Sequence, residues 1–393
     1  MGTLPPTAAS QAGRWRRHLK QVPGLAPTYR FLRALWWRSK DAAIARYWEA
    51  WARARARGGV ERVSEVWAEA AAERSRVYQG EGRLWLDSTE VLRSYVFPQF
   101  DLRLRRRCVA SNDGPSLPCG AQAEQGGPVL RETPLAGMNW YRYLAERYCP
   151  MPRPLGLSIC CGDGEVERNL IRYRICQSAK GIDISPQAIE LARSRASEAG
   201  MDGALSYRVG DVERLSLEPG KYDLVVAWMA LHHLRRLSHV FRQVRRTLKP
   251  GGIFVVNEYV GPARFQLPDR QVAFVNSFLS TIPEELRRKP DGQIKARFER
   301  APVRQIIRHD PSEAVSSHRL LPLLGRHFDI AECVGYGGTL LNWALEDVIQ
   351  NFDPAHPGHR RLLDDLYEAE REALRSGHFA SDFAFVIARR PAG

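Results

Sequence analysis

From about residue 155 to 260, short apolar runs alternate with stretches of helical period. Residues 155–159 are a brief apolar run bounded by turn residues, too short for a helix, and predict a buried strand. Behind them Val166, Leu170 and Ile171 are spaced for a helix over 165–174. A second strand at 180–183 ends in Asp183, and Ser185 and Pro186 open the next helix as N-cap and first residue. That helix carries Ile189, Ala192 and Ala196 on one face. Further strands are expected at 205–211, 222–228 and 253–259, with a helix over 237–248 stopped by Lys249-Pro250-Gly251-Gly252. This alternation predicts a parallel sheet with ligands over the carboxyl ends of its strands.

The flanks are less regular. After the fifth strand, helices are expected at 271–279 and 284–288, an irregular polar stretch at 289–311, and a helix at 312–326. An insert of this length, about 262–326, predicts a lid. A sixth strand at 328–336, helices at 340–351 and 358–376, and a strand at 382–389 complete the pattern. Upstream, helices are expected at 28–57 and 60–79, then a Ser/Asn/Gly/Pro-rich linker at 110–137. A short helix at 138–148 should turn Trp140, Tyr141, Leu144 and Tyr148 inward. The expected fold is α/β: a Rossmann-like, seven-stranded, doubly wound sheet at 136–393, with its helical insert and a helical extension plus linker at 1–135.

Composition adjusts this picture in three ways. The 44% hydrophobic content of the 393 residues supports a substantial core. The seven cysteines are scattered without a C-x-x-C pair, which predicts reduced thiols rather than a disulfide frame or zinc site. No apolar leader or membrane-length run is present, so a cytoplasmic protein is expected. The net charge of +14 is uneven: residues 1–110 hold 21 Lys and Arg against 10 Asp and Glu, and seven of the ten tryptophans. This block is expected to pack on the catalytic domain. A peripheral contact with anionic membrane is the alternative.

The candidate chemistry centres on Gly162 and Gly164, between the first strand and its helix. Their turn would bring backbone N–H groups and a helix dipole to an anionic ligand group. Asp183 lies 21 residues after Gly162, near the spacing at which a second-strand carboxylate reaches ribose hydroxyls. His232 and His233 follow the fourth strand, where an imidazole suits general-base work, and Glu258 at the end of the fifth is a further candidate base. Arg264 offers a hold on an acceptor phosphate or carboxylate. No His and carboxylate spacing suggests a metal site.

Five segments in order resemble the class I S-adenosylmethionine-dependent methyltransferases, in the small-molecule branch called type 11. They are 158–164, Gly181-Ile-Asp-Ile-Ser185, Gly210-Asp-Val-Glu213, 222–234 with Leu231-His-His-Leu234, and Leu248-Lys-Pro-Gly-Gly252. Ser158 stands where the family has an acid and Cys160 where it has a glycine. The resemblance implies S-adenosylmethionine as cofactor. It places Ser158, Cys160, Gly162 and Gly164 toward the methionine part, and Asp183 and Ile184 toward the ribose. Asp211 would take the adenine amino group while Val212 covers the ring, with Trp228 also in the site. It further implies a last strand running antiparallel between the fifth and sixth.

Segment 257–265 and the N-terminal block resemble methyltransferases of bacterial polysaccharide and glycan clusters, so O-methylation of a sugar or other small hydroxylated acceptor is the leading expectation. An RNA methyltransferase is the charge-based alternative, but Trp228-Met-Ala-Leu231 replaces the signature used on exocyclic base amines, and nucleic acid is not the expected partner. A non-catalytic scaffold is the third reading, raised by Cys160.

Overall fold

The computed structural model describes residues 140–391, apart from 290 and 354–355. The expected N-terminal helices, the linker and the boundary near residue 135 lie outside the described residues. The chain enters through α1 (Trp140–Tyr148) and β1 (Arg153–Ile159), then α2 (Glu165–Arg172), β2 (Cys176–Asp183), α3 (Pro186–Glu198) and β3 (Leu205–Val209). β4 (Tyr222–Trp228), α4 (Leu237–Thr247) and β5 (Leu248–Tyr259) follow. The insert holds α5 (Asp269–Leu279) and α6 (Val303–His309). α7 (Leu320–His327), β6 (Asp329–Gly337), α8 (Leu341–Leu345), α9 (Pro357–Arg375) and β7 (Phe383–Arg389) end the chain.

The strands form one sheet in the order β3-β2-β1-β4-β5-β7-β6. The first five are mutually parallel, and β7 runs antiparallel between β5 and β6. β1, β4 and β5 read as continuous apolar runs because both sheet faces are covered. One face is closed by α1, α2 and α3 through Trp140, Leu144, Leu170 and Ile189; the other by α4 and α7 through Phe241, Val244 and Leu324. Ser185 caps α3 as expected, accepting the Ala188 N–H at 3.2 Å, with Pro186 at the first helical position. α1 is tied across the sheet to β6: the hydroxyls of Tyr143 and Tyr148 donate to Glu332 at 2.5 and 2.9 Å.

Several boundaries move for local reasons. α2 stops at Arg172, and Arg174 takes φ 57°, where a helix cannot continue. β2 begins at Cys176, four residues early, because Cys176 and Ala179 pair with β1 and are buried. The stretch expected to be irregular at 289–311 contains α6, which starts after Pro302. Residues 312–316 are a turn rather than helix. The helix expected over 340–351 breaks where Asp347 adopts φ 63°.

The insert is not a free lid. It shares a third core with α8 and α9, in which Leu267, Val275 and Leu279 pack with Trp343, Leu363 and Leu366. Polar ties reinforce it. The Lys295 ammonium donates to the carbonyls of Trp343 and Glu346, at 2.9 and 2.5 Å, and Gln271 donates to Asp382 at 2.8 Å. A flap would have to break this core to open. Among the described residues, no helix is long and apolar enough to cross a membrane.

Candidate functional site

The strand order reverses between β1 and β4, and the sequence-predicted residues gather at the carboxyl edge of that switch point. The turn after β1 passes through three left-handed residues: Cys160 (φ 53°), Gly162 (φ 55°) and Gly164 (φ 76°). Cys160 therefore keeps the backbone that a glycine would adopt. The two glycines are needed for different reasons. A Cβ on Gly164 would lie 2.6 Å from the Tyr207 hydroxyl oxygen, whereas one on Gly162 would meet nothing. Gly164 serves packing, and Gly162 borders open space.

Asp183 holds this turn in place. Its carboxylate accepts the Gly162 N–H and the Ser185 N–H, each at 2.9 Å. The side chain is 5% exposed, and burial raises its pKa against these hydrogen bonds. Asp183 thus closes the ends of β1 and β2 together at the cleft edge. Ile184, beside it, is half-buried. Asp211 lies two residues beyond β3, accepts the Glu213 N–H at 2.9 Å and pairs with Arg214 at 3.2 Å, while Val212 is buried. The Cys160 thiol is pushed well up, first by burial and then by the charges of Asp183, Glu258, Glu213 and Asp211. Four carboxylates thus act on the residue at the mouth of the turn.

Two expected site residues make core contacts. Ser158 is 1% exposed and faces Glu167 of α2, inside the core rather than on the open side of the turn. The reason is strand alternation: Leu157 and Ile159 pack on one sheet face, so Ser158 points to the other, beneath the helix. The indole of Trp228 stacks on Trp140 of α1 at 4.6 Å and is half-buried, so it joins the core at the cleft's edge.

The histidine side of the cleft is built on a short 3-10 segment, Leu231–His233, after β4. Glu258 projects from β5 beneath it, fully buried. One carboxylate oxygen accepts the Ala230 and Leu231 N–H groups, and the other lies 2.6 Å from His232 Nδ1. Glu258 is thereby tied to the segment above it. Its oxygens are occupied, and it fixes the 3-10 segment and the His232 ring. Burial pulls the His232 pKa down, but Glu258, Glu313 and Asp310 outweigh it and lift the value above the ordinary one. His233 behaves in the opposite way. Burial, His232 and Arg264 hold it well below the ordinary value. The two rings lie 4.1 Å apart, and their protonation preferences diverge.

The loop at 310–313 completes this side, with no signal for it in the linear pattern. His233 Nδ1 is 3.2 Å from Ser312 Oγ and 3.5 Å from Asp310; Glu313 Oε1 lies 3.7 Å from His232 Nε2. These partners are roughly 80 residues apart in the chain, and the expected boundary between the irregular stretch and the helix at 312 cuts through the loop. Arg264 is not a surface group. Buried at φ 54°, it donates to the carbonyls of Glu313 at 2.6 Å and Pro311 at 2.9 Å and so shapes this loop.

Residues 157–256 match a family described as "Methyltransferase domain". Those residues form a class I methyltransferase domain, whose cofactor is S-adenosylmethionine. Sterol 24-C-methyltransferase of Candida albicans is 31% identical over 136 residues, covering 34% of this chain and 36% of that protein. The 27-O-demethylrifamycin SV methyltransferase of Amycolatopsis mediterranei is 33% identical over 106 residues, covering 26% and 38%. The chain thus spans little more than a third of the length of these curated relatives. A solved geranyl diphosphate methyltransferase in complex with GPP and sinefungin aligns with TM-score 0.42 and 18% identity, over 64% of this chain and 77% of that one.

Proposed function

We propose that the protein transfers the methyl group of S-adenosylmethionine to a hydroxyl of a small-molecule acceptor. The observation that carries this reading is the acidic rim around an open glycine turn, facing an oriented pair of imidazoles. The donor is a sulfonium cation. Asp183 bonds the turn directly, and Asp211 and Glu213 add to the negative field at Cys160, which favours a cation there. Gly162 leaves room for the methionine part, and Asp183 stands at the ribose position. Asp211 and Val212 would take the adenine.

Methyl transfer is an in-line displacement on an already activated donor, so alignment is the protein's main task. The attacking oxygen must shed its proton. His233 and His232 stand on the acceptor side with their rings fixed from behind by Ser312, Asp310 and Glu258. An uncharged imidazole there offers a lone pair to whatever binds in the cleft. The relatives cited above are named for a sterol and a rifamycin, and nothing in the site favours a sugar over another hydroxylated acceptor. Because Cys160 preserves the left-handed turn, its departure from glycine favours a working cofactor site over a scaffold.

Calorimetry with S-adenosylmethionine and S-adenosylhomocysteine is the first test, followed by transfer of labelled methyl to fractionated cell extract. Binding followed by label in a small-molecule fraction supports the reading. Absence of binding at millimolar cofactor would overturn it, and label in RNA would move the acceptor class.

A further inference from the structure

The fold brings together a donor set that the linear sequence hides. We propose that His232, His233 and Glu313 bind a divalent transition-metal ion of the zinc class. One possible ligand atom from each residue lies within 4.8 Å of the other two. His232 Nε2 and Glu313 Oε1 are 3.7 Å apart, too far for a hydrogen bond. Two donors about 2.1 Å from a tetrahedral ion stand roughly 3.4 Å apart, so a small closure would seat one between them.

Both rings are held from behind as ligating histidines require. The buried Glu258 carboxylate takes Nδ1 of His232, which puts the ring's lone pair on Nε2, toward Glu313. Ser312 and Asp310 stand behind Nδ1 of His233. A carboxylate backing a histidine fixes its tautomer and raises its basicity as a ligand. Glu258 cannot leave this role, because it also carries the N–H groups of Ala230 and Leu231. The ends of two strands and one loop thus hold the site.

The donor chemistry selects the ion. Two imidazoles and one carboxylate suit Zn²⁺, Co²⁺ or Fe²⁺, whereas Mg²⁺ and Ca²⁺ call for oxygen donors. Three protein ligands leave at least one coordination position open. Resting on the methyl-transfer reading, that position would take the acceptor's hydroxyl and lower its pKa; with both imidazoles then serving as ligands, the proton would pass to solvent water, and methyl transfer to the oxygen would release S-adenosylhomocysteine. Metal binding itself does not depend on that reading. Arg264 donates to the carbonyls of Glu313 and Pro311, which holds the loop that carries the third ligand.

The test titrates the full chain, stripped with chelator and dialysed, with Zn²⁺ by calorimetry and with Co²⁺ by visible absorption. One equivalent should bind, with the intense visible bands of low-coordinate Co²⁺, and excess Mg²⁺ should not displace it. His233→Ala and Glu313→Ala should each weaken Zn²⁺ binding by at least about tenfold. The Glu313 side chain is partly exposed, so its variant remains informative if His233→Ala misfolds. No Zn²⁺ binding up to about 0.1 mM, or unchanged affinity in folded Glu313→Ala, would overturn the proposal. Loss of the metal with intact cofactor binding would leave the methyl-transfer reading standing, and the reverse would leave the metal site standing.

Discussion

His232 and Glu258 meet at 2.6 Å beneath the cleft, Nδ1 against a carboxylate that is wholly buried. The same carboxylate ends two backbone N–H groups of the segment that carries His232. One side chain from β5 thus sets the position and the ring orientation of a residue 26 positions earlier. Glu258→Ala would strand two N–H groups and one imidazole. It is expected to cost about 3–5 kcal/mol of stability, and Glu258→Gln less, about 1–3 kcal/mol. Urea unfolding midpoints measure both; a wild-type midpoint for Glu258→Ala would show that the bonds contribute nothing net.

Asp183→Ala is expected to weaken S-adenosylmethionine by about 2 kcal/mol, from loss of charge-assisted hydrogen bonds to the ribose. The structure adds a second consequence, since the carboxylate also holds Gly162 and Ser185. Asp183→Asn keeps a carbonyl acceptor and should lose less stability than affinity. Calorimetry paired with thermal unfolding separates the two effects, and an unchanged dissociation constant in a folded variant would remove Asp183 from the cofactor site.

The two turn glycines should fail in different assays. Gly164→Ala places a methyl 2.6 Å from the Tyr207 hydroxyl oxygen at φ 76°, so it should destabilise the fold by more than the ~1–2 kcal/mol of left-handed strain alone. Gly162→Ala carries only that strain, because its Cβ points into open space, but it narrows the cleft where the cofactor would lie. Its deficit should therefore appear mainly in cofactor affinity. Equal losses of stability in both variants would contradict this division.

Glu167 sets a pH dependence. It is fully buried in α2, and burial raises its carboxyl to about 8 against partial compensation from Ser158. The folded state therefore holds a proton that the unfolded chain releases near pH 4.5. Its contribution is fully present below that value and is lost as pH rises through about 8. Glu167→Gln removes the titration, so the variant should gain melting temperature relative to wild type from pH 6 to pH 9, at about 2–4 °C per kcal/mol. A constant difference across that range would rule the residue out as the source.

Much of the doubly wound frame was legible because each strand and helix advertises its own period. Ser185 and Pro186 signal a helix start, Lys249-Pro-Gly-Gly252 a break, and Leu224 to Ala227 a strand buried on both faces. Such signals are local, since they follow from backbone sterics and from which neighbours along the chain share a face. The same locality placed Gly162, Asp183 and Asp211 at strand ends. It could not say that Ser158 would face α2, because a one-residue difference in where a strand is taken to begin inverts every side chain.

Tertiary structure alone decided the acceptor side. Whether Glu258 would be a base or a support depended on what lay 26 residues away, and the partners of His233 arrived from a turn with no pattern of its own. The insert reads as a lid in one dimension because its length is visible and its apolar partners in α8 and α9 are not. The sequence determined the elements and the cofactor edge, where the order of strands along the chain is also their order of function. Burial and protonation at the histidines depend on which distant groups pack against them, and only the packed chain specifies that.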